Sequence, residues 1–414
     1  MLRISTKSIY ESGVTQMNSL QTALNRSQMQ LSSNRKNLTP ADDPVATARA
    51  LEVTQAQSIN TQFVTNRSNA KDLLSQETNA LDSTNSLLTS ITELVVHAGN
   101  GGLTDTDRAS LATQLQGNIS DMLAQANTAD GAGGYLFSGF KSTTVPYTQT
   151  ATGAAYQGDQ GQRILQVASA RSVPVSDSGS DVFDSNLTGN GTFATAAAPG
   201  NFARGGSGIV SAGSVANAAL LTGHQYAITF TVAPGAGGAT TYAVTDTTLG
   251  VPVPNPAVQV PYVSGQSISF DGQQLDIKGA PANGDQFTLQ PSTKESVFTT
   301  LQNLLTVLRA PGSGAAGQAA LTNGLNVAHN LIDTASTNVL TIQAAVGSRL
   351  KEIDTLDTAG DDINLQYATT LSGLQDLNTV AAISLFTQQQ TTLQAAQKSF
   401  TQMSGLSLFN YITA

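Results

Sequence analysis

The hydrophobic period of the sequence changes twice along the chain, and these changes limit the possible folds more than any other feature. Near the N-terminus four apolar residues recur at intervals of seven, which is typical of a helix with a narrow apolar seam: Tyr10, Met17, Leu24 and Leu31. Between residues 143 and 292 the period falls to two, as in "YAITFTV", which is typical of half-buried strands. A helical period then returns, with one row formed by Val339, Val346 and Ile353.

Two helices are predicted between the N-terminal helix and the strand region. One covers residues 44 to about 97 and ends at a cluster of glycines. The next begins in "TDTDRASLATQLQ", where Asp105 or Thr106 is a suitable N-cap. After the strand region, helices are predicted at residues 294–309, from about residue 318, and from about residue 361 to 403.

The simplest arrangement of these segments is a β domain inserted into a helical hairpin. The predicted fold is therefore mainly α with an inserted all-β domain. Both chain ends would form long antiparallel helices of an elongated rod, with the β domain at its outer end. We divide the chain into a terminal coiled-coil assembly domain (1–36 with 374–414), a helical rod domain (37–142 with 293–373) and the inserted β domain (143–292).

The terminal helices carry very few charges. From residue 363 onward the charged side chains are Asp376 and Lys398, whereas a solvated helix normally carries charge over its outer face. Two weakly charged helices with narrow apolar seams bury little surface when they pack only against each other. We therefore expect them to pack against the same helices of neighbouring molecules. A monomeric two-helix coiled coil is the alternative. The expected assembly interface is Met17, Leu20, Leu24, Leu31, Leu393, Phe400, Met403, Leu406 and Leu408.

The composition excludes several classes of function. The chain has a formal net charge of −9 and only 19 Lys and Arg residues, which disfavours binding to nucleic acid or anionic membranes. It has no Cys, and therefore no disulfide or thiolate metal site. The first twenty residues lack the apolar core of a secretory signal peptide, so we expect any export to use another route.

Two adjacent carboxylates, Asp42 and Asp43, stand between prolines and could be a catalytic pair, a metal site or the start of a helix. Pro44 suits the first helical position because its missing N–H is not needed there. Asp43 would then be the N-cap, accepting hydrogen bonds from free backbone N–H groups. Catalysis or metal binding would need further converging ligands, and the sequence nominates none. We interpret Asp42, Asp43 and Pro44 as the cap of a bend between two helices.

The remaining motifs also favour structural roles. "GSGAAG", residues 312–317, has the spacing of a dinucleotide-binding loop but follows a helix instead of a strand, so a flexible connector is predicted. His97, His224 and His329 lie far apart, without a second ligand at metal-binding spacing. We predict no catalytic, cofactor or metal site, and no enzyme activity.

Several stretches resemble the bacterial flagellin superfamily: "RIST", "QLSSNRKNLTPADDPVATARAL", "YLFSGFKSTTVPY", "GAPANGDQFTLQP", "VGSRLKEID" and "LSLFNYI". They are most similar to its hook–filament junction family, flagellar hook-associated protein 3. True flagellins usually have Ala and Gly where this chain has Pro44 and Val45, and they seldom carry the YLFSGF segment. Asn34 stands where the family commonly has Gly. Because Asn tolerates a left-handed backbone, we expect the same turn.

The resemblance implies a structural adaptor between hook and filament that self-assembles into a ring through terminal coiled-coil helices. The implied partners are copies of the chain, hook-associated protein 1, flagellin and a cytoplasmic flagellar export chaperone that holds the C-terminal helix. The free protein would be a monomer. The implied location is the extracellular flagellum, reached through the flagellar type III export apparatus without a cleaved signal peptide.

Two other functions stay open at this point. A flagellin filament subunit would share most of the quoted motifs. A secreted adhesin would instead bind ligands through the β domain, with the helices as a stalk. Sugar-binding surfaces usually present exposed Trp or Tyr, and this chain has no Trp, which disfavours the adhesin.

Overall fold

The computed structural model describes residues 6–235, 238–254, 256 and 258–405. The helices are α1 (Thr6–Ser33), α2 (Pro44–Ala98), α3 (Asp105–Ala126), α4 (Gly179–Phe183), α5 (Gly200–Arg204), α6 (Val297–Arg309), α7 (Gly314–Gln375) and α8 (Thr379–Gly405), with a 3-10 turn at Ala218–Leu220. The strand region lies between α3 and α6. The predicted fold class, mainly α with an inserted β domain, is confirmed.

The strands occupy the middle of the chain, and their described pairings are antiparallel. They are β1 (Tyr147–Thr150), β2 (Gly153–Tyr156), β3 (Ile164–Ala168), β4 (Arg171–Pro174), β5 (Asn186–Leu187), β6 (Phe193–Ala197), β7 (Ile209–Val210), β8 (Ser214–Val215), β9 (Tyr226–Val232), β10 (Thr240–Asp246), β11 (Val251–Val253), β12 (Val260–Pro261), β13 (Ser267–Phe270), β14 (Gln273–Lys278), β15 (Gln286–Pro291) and β16 (Lys294–Glu295).

The chain forms two compact units. One unit runs up to Thr65 and resumes at Thr355, and the other comprises Asn66–Asp354. The first unit holds α1, α8, the beginning of α2 and the end of α7. The second holds the rest of the helices and the β region. The three-domain division made from the sequence stays a prediction.

Two β-sheets enclose the core of the inserted region. A six-stranded sheet has the order β11-β10-β9-β15-β6, with β12 beside β10, and a four-stranded sheet has the order β13-β14-β7, with β8 beside β14. Alternate residues of β9 point into the core, as its two-residue period predicted. Both sheets contribute to one buried cluster: Phe193, Val210, Tyr226, Ile228, Phe230, Val244, Ile268, Leu275, Ile277, Phe287 and Leu289.

The turn between β13 and β14 follows directly from its residues. Phe270 pairs with Gln273, so the loop has two residues, Asp271 and Gly272. Both have positive φ, 42° and 78°, as the two central residues of a type I′ hairpin turn require. The predicted Asp-Gly hairpin is confirmed.

The helical core of the second unit includes the row predicted after the strand region. Val339, Val346 and Ile353 of α7 are all buried. In α3, Leu111, Leu115 and Met122 are buried as well, and this helix packs against α6. Burial of apolar side chains at helical spacing is what stabilises long helices in water.

Several predicted helix ends were wrong. The N-cap of α3 is Thr104, which forms a reciprocal capping box with Asp107, instead of Asp105 or Thr106. Residues 294–295 form strand β16, so α6 begins at Val297. The last two helices divide at residues 376–378 instead of near 361. α7 passes through that point without a break, and the Asn60 side chain donates a hydrogen bond to the Gly360 carbonyl at 2.9 Å.

Candidate assembly surface

Helices α1 and α8 pack against each other along a thin, antiparallel seam. Near one end the rings of Tyr10 and Phe400 lie 5.1 Å apart. Gly13 lies under the Phe400 ring, since a Cβ built there would be 2.8 Å from a ring carbon. Near the other end the Ser27 hydroxyl donates to Gln389 Oε1 at 2.7 Å. The seam therefore places first-helix and last-helix residues together, as the predicted helical hairpin requires.

The residues predicted for assembly lie mostly along this intramolecular seam. Leu393 is buried, and Met17, Leu20, Leu24, Leu31 and Phe400 are half-buried. Met403 is exposed. Leu406 and Leu408 lie outside the described residues. One partner helix leaves these side chains partly accessible, so their burial by neighbouring copies stays a proposal.

Other apolar residues of the same two helices are much more exposed, and the predicted interface did not include them: Ile9 and Met29 on α1, and Val380, Ile383 and Leu385 on α8. Tyr10, from the predicted heptad row, and Met403, from the predicted interface, are exposed as well. Val380 is the most exposed of them, at 79%. Single apolar residues are normal on a protein surface. On α1 and α8, however, few charged side chains surround them, so these helices present a weakly hydrated surface. The low charge was the signal that could have found them.

The polar residues of these helices satisfy much of their own hydrogen bonding. In α8 the hydroxyls of Thr387, Thr391 and Thr392 donate to backbone carbonyls four residues earlier, at 2.8–2.9 Å. Thr15 and Thr22 of α1 do the same. A hydroxyl with a partner in its own helix costs less to bury than a charge or an unpaired group. Such a surface is suited to close packing against another uncharged surface.

The bend after α1 is organised by the two adjacent carboxylates. Asp42 Oδ2 accepts hydrogen bonds from the backbone N–H groups of Leu38 and Thr39, both at 2.9 Å. Its Oδ1 accepts from Arg26 Nη2 at 2.7 Å. These backbone hydrogen bonds, with help from Arg26, hold the pKa of Asp42 below its ordinary value.

Asp43 occupies the N-cap position of α2. Its Oδ1 accepts from the Ala46 N–H at 2.9 Å, and its carbonyl accepts from the Thr47 N–H at 3.0 Å. Pro44 is the first helical residue. The two carboxylates thus accept hydrogen bonds from free backbone N–H groups on both sides of the bend.

A second bend, between α7 and α8, is paired with the first. Asn34 has φ +51°, so the expected left-handed turn is confirmed. Its carbonyl accepts from the Leu377 N–H at 3.2 Å, and the Lys36 N–H donates to the Gln375 carbonyl at 2.8 Å. Asn378 caps α8, with its Oδ1 accepting from the Ala381 N–H at 3.1 Å. These contacts join both bends within the first unit.

The other residues considered for chemistry are separate in the structure. His224 Nδ1 lies 2.6 Å from Asp246 Oδ2 at the end of β10, while His97 and His329 are exposed. Residues 312–317 connect α6 to α7 and begin the latter helix. Within the described ranges, no three His, Asp or Glu side chains converge as a metal site would need. None of the helices described here has the length and apolar character needed to cross a membrane.

Comparison with known proteins identifies the family. Residues 4–142 match the bacterial flagellin N-terminal helical region. The chain is 28% identical over 416 residues to flagellar hook-associated protein 3 of Salmonella typhimurium, covering 99% of both chains. It is 32% identical to flagellar hook-associated protein-3 of Legionella pneumophila, whose crystal structure superposes with a TM-score of 0.73 over 78% of this chain and 98% of that one.

The chain belongs to the flagellar hook-associated protein 3 family. A second crystal structure agrees with this, that of the flagellar junction protein FlgL from Legionella pneumophila. It is 31% identical, with a TM-score of 0.71 over 79% of this chain and 100% of that one. The paired bends and the weakly charged helices are therefore parts of a chain with the hook-associated protein 3 fold.

Proposed function

We propose that this chain is a structural adaptor that joins the hook of the bacterial flagellum to its filament. Copies would assemble into a ring through α1 and α8, the helices of the two chain ends. The observation that carries the proposal is the surface of these helices, which exposes apolar side chains, carries hardly any charge and satisfies its own hydroxyls. Family membership supports the same role.

Low charge matters because the copies in a ring are identical. In a ring, a charge on one copy is repeated at the same radius on every other copy, and like charges held close together repel. Uncharged side chains avoid this cost. The hydrophobic effect on exposed residues such as Val380 and Ile383 then favours association.

The proposed partners follow from the position of a junction. One side of the ring would contact hook-associated protein 1 and the other would contact flagellin. Before export a cytoplasmic chaperone would hold the C-terminal helix, and the chain would leave the cell unfolded through the flagellar type III apparatus.

Charge introduced into the seam tests the assembly proposal. We expect Leu24→Asp or Phe400→Asp, made in a strain whose own copy is deleted, to abolish filaments and swimming. A half-buried carboxylate would weaken the α1–α8 pair and would repel its counterparts in neighbouring copies. Leu249→Asp is the matched control, because Leu249 is exposed in the β region and this variant should swim normally.

The purified variants must retain a folded β region for this test to count. Protection of β9 and β10 amides from hydrogen exchange should equal that of the wild type. Normal filaments on Leu24→Asp and Phe400→Asp cells would refute the assignment of this surface to assembly.

A further inference from the structure

Two buried acidic residues share one arginine in the second unit. Asp177, in the loop between β4 and α4, forms a two-point ion pair with Arg349 of α7, with N–O distances of 2.8 and 3.0 Å. The Asp177 backbone N–H donates to Glu77 Oε1 of α2 at 3.0 Å. Glu77 Oε2 has no hydrogen-bond partner among the described residues. The Arg349 guanidinium therefore pairs with Asp177, and the buried Glu77 carboxyl group lies beside this ion pair.

This arrangement favours a proton on Glu77. Burial raises the pKa of Glu77 to about 8, and the negative charge of Asp177 acts in the same direction. The Asp177 N–H and the charge of Arg349 oppose the shift but do not cancel it. At neutral pH the buried Glu77 is therefore mostly uncharged.

The same cluster fastens a short piece of chain to two helices. We name residues 162–178, which contain β3 and β4, the β3–β4 segment. Side chains of Asn66 and Arg67 on α2 donate to backbone carbonyls of β3 at 2.8 and 2.9 Å. Arg171 pairs with Glu352 of α7, at 2.8 Å between Nη2 and Oε2. The segment also buries three valines: Val167, Val173 and Val175.

We propose that Glu77 is the proton switch of a clasp that holds the β3–β4 segment against α2 and α7. The clasp is closed while Glu77 is protonated. When Glu77 ionises, the buried cluster has two negative charges for one positive charge, and opening lets water hydrate the carboxylate. The charged groups that act on Glu77 are Asp177 from the segment and Arg349 from α7.

The direction and range of the effect follow from proton linkage. The closed clasp has a raised pKa for Glu77, whereas an open, hydrated Glu77 returns to about 4.5. The closed form is therefore fully favoured below that ordinary value, and the advantage is lost as the pH rises through about 8. Between these values the opening constant rises by up to about tenfold per pH unit, and then levels off.

Hydrogen exchange measured by mass spectrometry on the full-length protein tests the clasp. Exchange rates, corrected for the intrinsic effect of pH, give the opening constant of peptides from residues 162–178. We expect this constant to rise between about tenfold and 100-fold from pH 5.5 to pH 7.5, and to level off above about pH 8.5. Peptides from α6, whose one ionisable residue is Arg309, serve as the internal reference.

Two matched variants separate this switch from general effects of pH. Glu77→Gln keeps the shape of the protonated side chain, so its opening constant should stay low and nearly flat across the range. Glu93→Gln removes an exposed carboxylate from the same helix and should behave like the wild type. A flat wild-type profile, or a Glu77→Gln profile as steep as the wild type, would overturn the proposal.

Discussion

At the first bend, single side chains accept hydrogen bonds from backbone N–H groups that would otherwise have no partner. A helix that begins after a bend has N–H groups without partners, and a carboxylate one residue before the first helical position is suited to accept from them. Asp43 accepts such a hydrogen bond at the start of α2, and Asp42 accepts hydrogen bonds from N–H groups of the preceding loop. Adjacent acids that could suggest catalysis thus have ordinary backbone partners.

Removing the cap tests this account of the bend. We expect Asp43→Ala to lower the free energy of unfolding by about 1 kcal/mol, because the Ala46 N–H loses its acceptor. Urea unfolding followed by helical circular dichroism measures the change. Asp43→Ser keeps a capping oxygen and should be close to the wild type. Equal losses in both variants would show that the carboxylate acts in some other way.

Helix packing depends on small residues as much as on large ones. Gly13 allows α1 to approach the Phe400 ring, and any side chain there would collide with it. Glycine inside a helix normally costs about 1 kcal/mol relative to alanine. We infer that close approach of the two helices is the gain that offsets this cost.

A larger residue at this point should separate the helices. We expect Gly13→Leu to destabilise the α1–α8 pair by roughly 1–3 kcal/mol through overpacking. Adding Phe400→Ala should recover part of that loss, and a double-mutant cycle measures the coupling. Gly373→Leu on α7 is the control, since a Cβ there meets no atom within 4 Å and better helix propensity should stabilise it. Additive effects would contradict the contact.

At the scale of elements, sequence periodicity predicted what the core contains better than where helices end. Rows such as Val339, Val346 and Ile353 depend only on spacing along one helix, and they are buried. The division between α7 and α8 depends on backbone hydrogen bonds to Asn34 and Lys36, which lie more than 300 residues away in sequence. A local pattern cannot contain that information.

For the whole molecule, the fold class was predictable but the sheet order was not. The alternation of β9 and the Asp-Gly turn identify strands and one hairpin, because both are local signals. The position of β15 between β9 and β6 depends on long-range strand pairing and on the burial of all three strands' side chains in one core. Likewise, heptad spacing selects residues such as Leu24 and Phe400, whereas the degree of exposure of Val380 and Ile383 depends on how α1 and α8 pair.

The position of the protein in the flagellum is the most direct test of the junction proposal. Detached hook–filament structures should be examined by immunogold electron microscopy with an antibody raised against the β region. We expect label confined to the narrow zone between hook and filament. Label along the whole filament would instead make the chain a filament subunit, and a flagellum without label would favour the adhesin. Either result would contradict the junction role.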